Sequence, residues 1–169
     1  MTRLMTRLVV AAGVVLGVAG MPPVALAAAP VVSNVFATLV QSRVAIPDSD
    51  QTVDLEGTVH LVVRVVPLED GSRYFTVYAN LPADVSAQSS TGERFVAVGA
   101  VRHADTHTGL IIPCIMPEGF TLIQASAGRE GRSVAPTPFG LYVLLQISED
   151  GAVTAAAAST DPDLVRGPR

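Results

Sequence analysis

The sequence predicts an all-β fold, and three features of its 169 residues support this prediction. Apolar and polar residues alternate along several short segments, as they do in strands that have one buried face. Gly and Pro residues separate these segments at intervals of about 8–12 residues. After the N-terminal region no segment makes a convincing amphipathic helix; the apolar spacing of residues 32–40 would also suit one, but their β-branched content favours a strand. We therefore expect a single immunoglobulin-like β-sandwich of about seven or eight short antiparallel strands, with a small β-barrel as the alternative.

The clearest strand pattern spans residues 52–66, and the other elements are predicted around it. Aliphatic residues or Gly occupy the odd positions and polar residues most of the even ones, which predicts one buried and one exposed face. Gly57 interrupts the segment and is expected to form a bulge or bend. The dipeptide Asp70-Gly71 then predicts a hairpin turn into a return strand over residues 73–81.

Shorter patterns predict further strands on both sides of this hairpin. Residues 95–102 are apolar on both faces, which favours a central position in the sheet. Pro113 interrupts the apolar residues 110–116, which favours an edge strand or a buried loop at that position. The polar residues 103–109 between these two segments are predicted to form a loop. The remaining predicted strands lie near residues 36–44, 120–125, 139–147 and 152–158.

The N-terminal residues have the features of a Sec-type signal peptide. Arg3 and Arg7 carry positive charge, and the apolar segment 8–19 that follows is too short to span a bilayer. The small residues nearby fit a cleavage site after Ala27. We therefore expect a secreted or periplasmic protein that has no membrane span after cleavage. The predicted organisation is a signal peptide over residues 1–27, a β-sandwich domain over 28–160 and a disordered tail over 161–169.

The charge and the cysteine content argue against several classes of function. The chain has eleven basic and fifteen acidic residues, and two of its Arg residues belong to the predicted signal peptide. Such an acidic chain lacks the basic composition of nucleic-acid-binding proteins, so we expect no nucleic-acid partner. Cys114 is the single cysteine, which excludes an intrachain disulfide. Its apolar neighbours predict a buried, unreactive thiol.

Four segments of the sequence carry a resemblance to known proteins. They are residues 57–63, residues 80–85, residues 91–95 with Gly99 and Ala100, and residues 149–155. Together these hairpin and strand patterns resemble a group of small secreted bacterial β-proteins of unknown function. The resemblance covers most of the chain after the predicted signal peptide. It implies a secreted β-fold and implies no particular activity.

Residues 103–107, His-Ala-Asp-Thr-His, form the strongest candidate for a metal site. In an extended backbone His103, Asp105 and His107 share one face, and two imidazoles with a carboxylate can bind zinc or non-haem iron. The Cβ atoms of the two histidines are then about 13 Å apart, so a turn is needed before both can reach one ion. A solvated polar loop is the alternative interpretation. We expect no cofactor, with one transition-metal ion as the alternative.

The polar face of the predicted hairpin contains candidate binding residues. Tyr74 and Tyr78 share one face of the return strand, where they could form a small aromatic surface for a ligand. Cross-strand packing onto Val62 or Arg64 is the alternative, because such pairs are the usual contacts of a sheet. His60, on the polar face of the preceding strand, is expected to be a surface or cross-strand residue.

Arg129 and Arg132 lie in a Gly-containing loop and form a second candidate binding site. Their guanidinium groups could bind a carboxylate, a sulfate or a sugar acid, and a flexible charged loop is the alternative. The sequence contains no nucleophile elbow, phosphate loop or zinc-protease motif. We therefore expect a secreted, non-enzymatic module that binds a protein or small-molecule ligand or has a structural role at the surface. The alternative is a small metal-binding protein or metal-dependent enzyme that uses residues 103–107.

Overall fold

The computed structural model describes residues 29–125 and 135–166, and these residues form ten strands and one short helix. The predicted signal peptide therefore lies outside the described residues, as do Arg129 and Arg132. The all-β prediction is confirmed. In chain order the elements are β1 (Val31–Leu39), β2 (Ser42–Ala45), β3 (Thr52–Glu56), β4 (Thr58–Pro67), β5 (Arg73–Asn80), β6 (Ser86–Ser89), β7 (Arg94–His107), β8 (Ile111–Gln124), β9 (Thr137–Ile147), β10 (Val153–Ser159) and α1 (Asp163–Arg166).

Seven of the described strands close into a barrel because β7 is paired along both of its edges. Its residues 95–99 pair with β8, whereas its residues 100–107 pair with β5. The order around the barrel is β7, β5, β4, β1, β10, β9 and β8. This closed barrel matches the alternative prediction, a small β-barrel, and the favoured immunoglobulin-like sandwich is not confirmed. Strands with alternating apolar and polar residues occur in both architectures. Here the barrel closes because β7 pairs with β8 along one part and with β5 along the other.

The strands β2, β3 and β6 extend the sheet outward from the start of β7. β6 pairs with residues 94–96 of β7, β3 pairs with β6, and β2 pairs with β3. Gly57, which has a φ of 134°, separates β3 from β4. The bend predicted at this glycine is therefore confirmed, and the segment 52–66 forms parts of two strands. The buried side chains on these outer strands continue the core and include Val44, Val53, Leu55 and Ala87.

Side chains fill the interior of the barrel. A barrel of about eight strands has an interior just wide enough for its own side chains, and this barrel has seven. Candidate contacts for a ligand therefore lie on the outer surface. The largest wholly buried side chains include Phe75, Phe120, Leu61, Ile112, Met116, Leu122, Leu141 and Leu145.

Two strands are longer than the sequence predicts. β7 continues to His107, so the polar loop predicted over residues 103–109 is wrong as far as that residue. β8 continues through Pro113 to Gln124. Among the described strands, residues 111–116 pair with β9 alone. Pro113 therefore lies in a part of β8 that has only one hydrogen-bonded neighbour among the described strands. Proline is tolerated at such an edge because it has no N–H to donate to a second strand.

Helix α1 lies within the segment 161–169, for which the sequence predicts a disordered tail. Oδ1 of Asp161 accepts a hydrogen bond from the N–H of Asp163 at 2.9 Å. Pro162 lies between them, directly before the first residue of α1, where a missing N–H has no cost because the first N–H groups of a helix have no partner within it. α1 also lies against β9, so the structured chain extends beyond the predicted domain boundary to Arg166.

Candidate functional site

The outer surface of strands β1, β4, β5 and β7 presents several ring side chains close together. The register places Phe36 opposite His60 and His60 opposite Asn80, so these three residues form a row across β1, β4 and β5. In the next row Tyr78 lies opposite Arg102. We name this surface the aromatic face and define it by Asn34, Phe36, His60, Arg64, Tyr74, Tyr78, Asn80 and Arg102.

Phe36 is the most exposed aromatic side chain in the described part of the protein, with 64 % of its surface in contact with solvent. Its neighbours Val35 and Ala37 point toward the core, so alternation along β1 directs the phenyl ring outward. The ring stacks on the imidazole of His60, with centroids 4.9 Å apart and planes inclined by 30°. This stack covers one side of the phenyl ring and leaves the remainder accessible to a ligand.

Hydrogen bonds on both ring nitrogens hold His60 in one orientation. Nε2 lies 2.5 Å from Oδ1 of Asn34, and Nδ1 lies 3.3 Å from Nδ2 of Asn80. Because the carbonyl oxygen of Asn34 can only accept, Nε2 carries the proton, and Nδ1 accepts from the amide of Asn80. An imidazole held between two amides is suited to positioning rather than to general-base catalysis, since neither partner is an acid.

The two asparagines that hold His60 keep further hydrogen-bonding groups for a ligand. Asn34 uses its Oδ1, and its Nδ2 has no partner among the residues the structure describes. Asn80 uses its Nδ2, and its Oδ1 likewise accepts no bond from the described residues. β1 and β5 are two strand spacings apart, about 10 Å. The face therefore offers a donor on one side of the imidazole and an acceptor on the other.

Tyr74 and Tyr78 lie on the same outer face and are 38 % and 50 % exposed. The register sets Tyr78 opposite Val62. Packing of Tyr78 on this residue is one of the cross-strand contacts predicted above as the alternative to ligand binding. The guanidinium carbon of Arg102 lies 5.8 Å from the centre of the Tyr78 ring, which is a cation–π contact. Tyr78 is therefore both packed and accessible, and its role in binding stays a prediction.

The aromatic face is positively charged although the protein has a net charge of −4. Arg64 and Arg102 point outward. None of the outward positions of the described strands β1, β4, β5 and β7 holds Asp or Glu. The ion pair found within residues 29–125 and 135–166 joins Arg43 to Asp54, at 2.7 Å. Neither arginine of the aromatic face is therefore neutralised by a carboxylate of the described chain, and both can bind an anion.

The candidate metal ligands lie on the side of β7 that faces the core, at its C-terminal end, where His103 and His107 are half-buried and Asp105 is exposed. The register sets Asp105 opposite the core residue Phe75. The imidazole of His103 lies against the same phenyl ring, with centroids 5.9 Å apart, and its Nε2 is buried without a hydrogen-bond partner. His107 accepts a hydrogen bond through Nδ1 from the N–H of Gly109 at 3.0 Å. Each of the three side chains thus has its own local environment.

These three residues share one face of a strand, as alternation predicts. They are aligned along β7 rather than gathered around a point. Within the described ranges, no three His, Cys, Asp or Glu side chains are placed to hold a metal ion together. The alternative prediction, that the protein binds one transition-metal ion, can be tested by metal analysis of the purified protein. The function proposed below does not depend on a metal.

Cys114 lies on β8 with its side chain inside the barrel and with no exposed surface. Burial raises the pKa of the thiol from 9.0 to about 12, and the negative charge of Asp105 adds to the increase. The cysteine forms no disulfide. The predicted burial of this thiol is therefore confirmed.

We expect Cys114 to react with the thiol reagent DTNB at pH 8 only after unfolding. At that pH, a pKa of about 12 in place of 9.0 lowers the thiolate fraction about 1000-fold. The unfolded thiol loses its proton above pH 9.0, whereas the folded thiol keeps it to about pH 12. The contribution of this group to stability is therefore complete below pH 9.0 and is lost as the pH rises toward 12. The absorbance of released thionitrobenzoate, with and without guanidinium chloride, measures the reaction, and rapid stoichiometric labelling in native buffer contradicts the prediction.

The sequence indicates only part of the aromatic face. Tyr74 and Tyr78 can be found because alternate residues of one strand point to the same side. Asn34, Phe36 and Asn80 are missed, because their contacts with the imidazole depend on the register between separate strands. Arg129 and Arg132, the second candidate site, lie outside the described residues.

Comparison of the chain with protein-family models, curated proteins and solved structures found no match in any of the three. The resemblance to small secreted bacterial β-proteins therefore stays an expectation from the sequence. Among the described residues there is no helix with both the length and the hydrophobicity needed to cross a membrane. The proposal below accordingly rests on the geometry of the aromatic face.

Proposed function

We propose that this protein is a secreted, non-enzymatic binding module that holds a carbohydrate on its aromatic face. One observation carries the proposal: Phe36 stacks on His60, and Asn34 and Asn80 hydrogen-bond both nitrogens of that imidazole. Sites for small ligands combine aromatic surface with a few fixed polar groups, and this cluster contains both. The secreted location is proposed from the signal-peptide features of residues 1–27.

The chemistry of a sugar fits these groups. A sugar ring has apolar C–H faces, which pack against accessible rings such as those of Phe36 and Tyr78. It also has hydroxyl groups, which can accept a bond from Nδ2 of Asn34 and donate one to Oδ1 of Asn80. Since the bonds to the imidazole already restrain both amides, little side-chain entropy is lost when a ligand binds.

The same geometry supports the proposal of a non-enzymatic role. His60 is the titratable residue in the centre of the aromatic face, and its two hydrogen-bond partners are neutral amides. Asp54 and Glu56, the acids nearest to it along the chain, belong to β3, on the other side of Gly57. The face therefore combines groups for holding a ligand without a paired acid and base for transforming it.

The proposal is tested by binding of the purified protein to a panel of soluble and insoluble polysaccharides, with affinity electrophoresis and co-sedimentation as readouts. We expect at least one polysaccharide to bind. Phe36→Ala and Tyr78→Ala should each weaken that binding at least about tenfold, because each change removes an accessible stacking surface.

Ile115→Ala is the matched control for these two variants. Ile115 is 51 % exposed on β8, outside the aromatic face, so its truncation removes a similar apolar surface from another region. We expect this variant to bind as the wild type does, and circular dichroism checks that all three variants fold. The proposal is wrong if no polysaccharide binds, or if Phe36→Ala and Tyr78→Ala both bind normally.

A further inference from the structure

We infer that the carbohydrate on the aromatic face is anionic and that Arg64 and Arg102 bind its carboxylate groups. This inference rests on the proposed function and adds the charge of the ligand to it. Charge complementarity carries the inference. The face contains two arginines that no described carboxylate pairs with, and its strands hold no outward acid in the described chain, whereas the whole protein has a net charge of −4.

The two arginines lie on two sides of Tyr78. Arg102 is directly opposite Tyr78 on β7, which places their Cα atoms about 5 Å apart. On β4, Val62 lies opposite Tyr78, and Arg64 is two residues further along the same strand. Arg64 is therefore the diagonal neighbour of Tyr78, at about 7–8 Å. The carboxylate of a uronic acid is attached to the edge of the sugar ring. A ring stacked on Tyr78 therefore brings this carboxylate within reach of both guanidinium groups.

The guanidinium groups are available for such a contact. Arg102 lies over the Tyr78 ring, which restrains the guanidinium group without using its N–H donors. Arg64 is exposed and makes no hydrogen bond or ion pair with any residue that the structure describes. A planar guanidinium group with free donors binds a carboxylate through two parallel hydrogen bonds. A neutral sugar leaves these donors unused.

A pair of matched ligands tests the inference. Polygalacturonic acid and its methyl-esterified form have the same sugar backbone and differ in the charge of the carboxyl group. In isothermal titration of the purified protein, we expect the free acid to bind at least about tenfold more tightly than the ester. The difference should decrease as the salt concentration rises, because salt screens charges at an exposed surface.

The variant Arg64→Gln with Arg102→Gln should remove this preference, so that the free acid and the ester bind to it with similar affinity, because Gln keeps a polar side chain without the charge. Arg94→Gln is the control, since Arg94 is also an exposed arginine of β7 but lies outside the aromatic face. We expect this control variant to keep the preference for the free acid. Loss of the preference in Arg94→Gln as well would show that overall charge is responsible, which overturns the inference.

The other outcomes separate this inference from the proposed function. Equal binding of the two forms, still weakened by Phe36→Ala, overturns the charge inference and leaves the proposed function standing. Binding of the free acid that Phe36→Ala does not change contradicts both. Poly-L-glutamate that binds as tightly as the free acid and independently of Phe36 indicates an acidic protein partner and also overturns both. If neither galacturonan binds, the inference is wrong, and the neutral polysaccharides of the panel decide the proposed function.

Discussion

Gly99→Ala is expected to destabilise the protein by about 2–6 kcal/mol, a large effect for the addition of one methyl group. Gly99 has a φ of 142°, a backbone conformation that residues with a side chain rarely adopt. An added Cβ would lie 2.8 Å from Cα of Phe120 and still closer to the carbonyl oxygen of Gly119. Both obstacles are backbone atoms, so no change of rotamer can relieve the overlap.

The position of Gly99 in the barrel explains why the backbone cannot move aside. Gly99 pairs with Phe120 of β8, and the next residue, Ala100, pairs with Asn80 of β5. The carbonyl oxygen of Gly99 also accepts a hydrogen bond from the N–H of Leu81 at 3.2 Å. Displacement of this residue therefore separates the strands that close the barrel.

The free energy of unfolding in urea, followed by circular dichroism, measures the effect. Gly71→Ala is the control, because Gly71 also has a positive φ, 82°, but an added Cβ there meets no atom within 4 Å. We expect the control to lose about 1–2 kcal/mol from the backbone conformation alone. A Gly99→Ala variant that is as stable as Gly71→Ala would show that the close approach of β7 and β8 is not needed.

Phe120→Ala is expected to lower the free energy of unfolding by about 3–5 kcal/mol. The Phe120 side chain has no exposed surface, and its ring lies 5.7 Å from that of Phe139, inclined by 33°. Truncation leaves a cavity between β8 and β9, whose pairing limits how far the walls can collapse. Urea unfolding at constant pH gives the difference from the wild type.

Phe36→Ala is the matched control, because the same atoms are removed from a side chain that is 64 % exposed. Its free energy of unfolding should fall by only about 1 kcal/mol, because the exposed ring loses little beyond its stack on His60. The two results together would show that the barrel depends on its interior ring and that the outer ring is available for binding. Similar losses in both variants would instead give Phe36 a structural role and weaken the proposed function.

The strand pattern could be read from the sequence because alternation depends only on neighbouring residues. The odd positions of residues 52–66 are aliphatic except for Gly57, and the structure buries that face on both β3 and β4. Gly57 marks the bend between the two strands because a positive φ favours a residue without a side chain. Burial of Cys114 follows in the same way from its apolar neighbours.

The choice between a sandwich and a barrel could not be read in this way. Both architectures need alternating strands of similar length. The barrel closes because residues 95–99 pair with residues 120–124, while residues 100–107 pair with β5. Residues 95–102 are apolar on both faces, which indicates a central position but does not identify the strands on either side.

The candidate sites show the same division between local and long-range information. Alternation along single strands is enough to predict that Tyr74 and Tyr78 share a face, and that His103, Asp105 and His107 do so too. The direction of each face follows from the partner strand, and Asp105 lies opposite Phe75 of the core, so its face of β7 points inward.

The cluster around His60 likewise exists only after β1, β4 and β5 have paired. Its asparagines come from β1 and β5 and meet the imidazole of β4 through the register between strands. The alternation of apolar and polar residues along one strand depends only on adjacent residues. The register between two strands depends on the packing of the whole barrel. The sequence therefore specifies most of the strands and which residues share a face, and the folded barrel specifies which way each face points and which side chains meet.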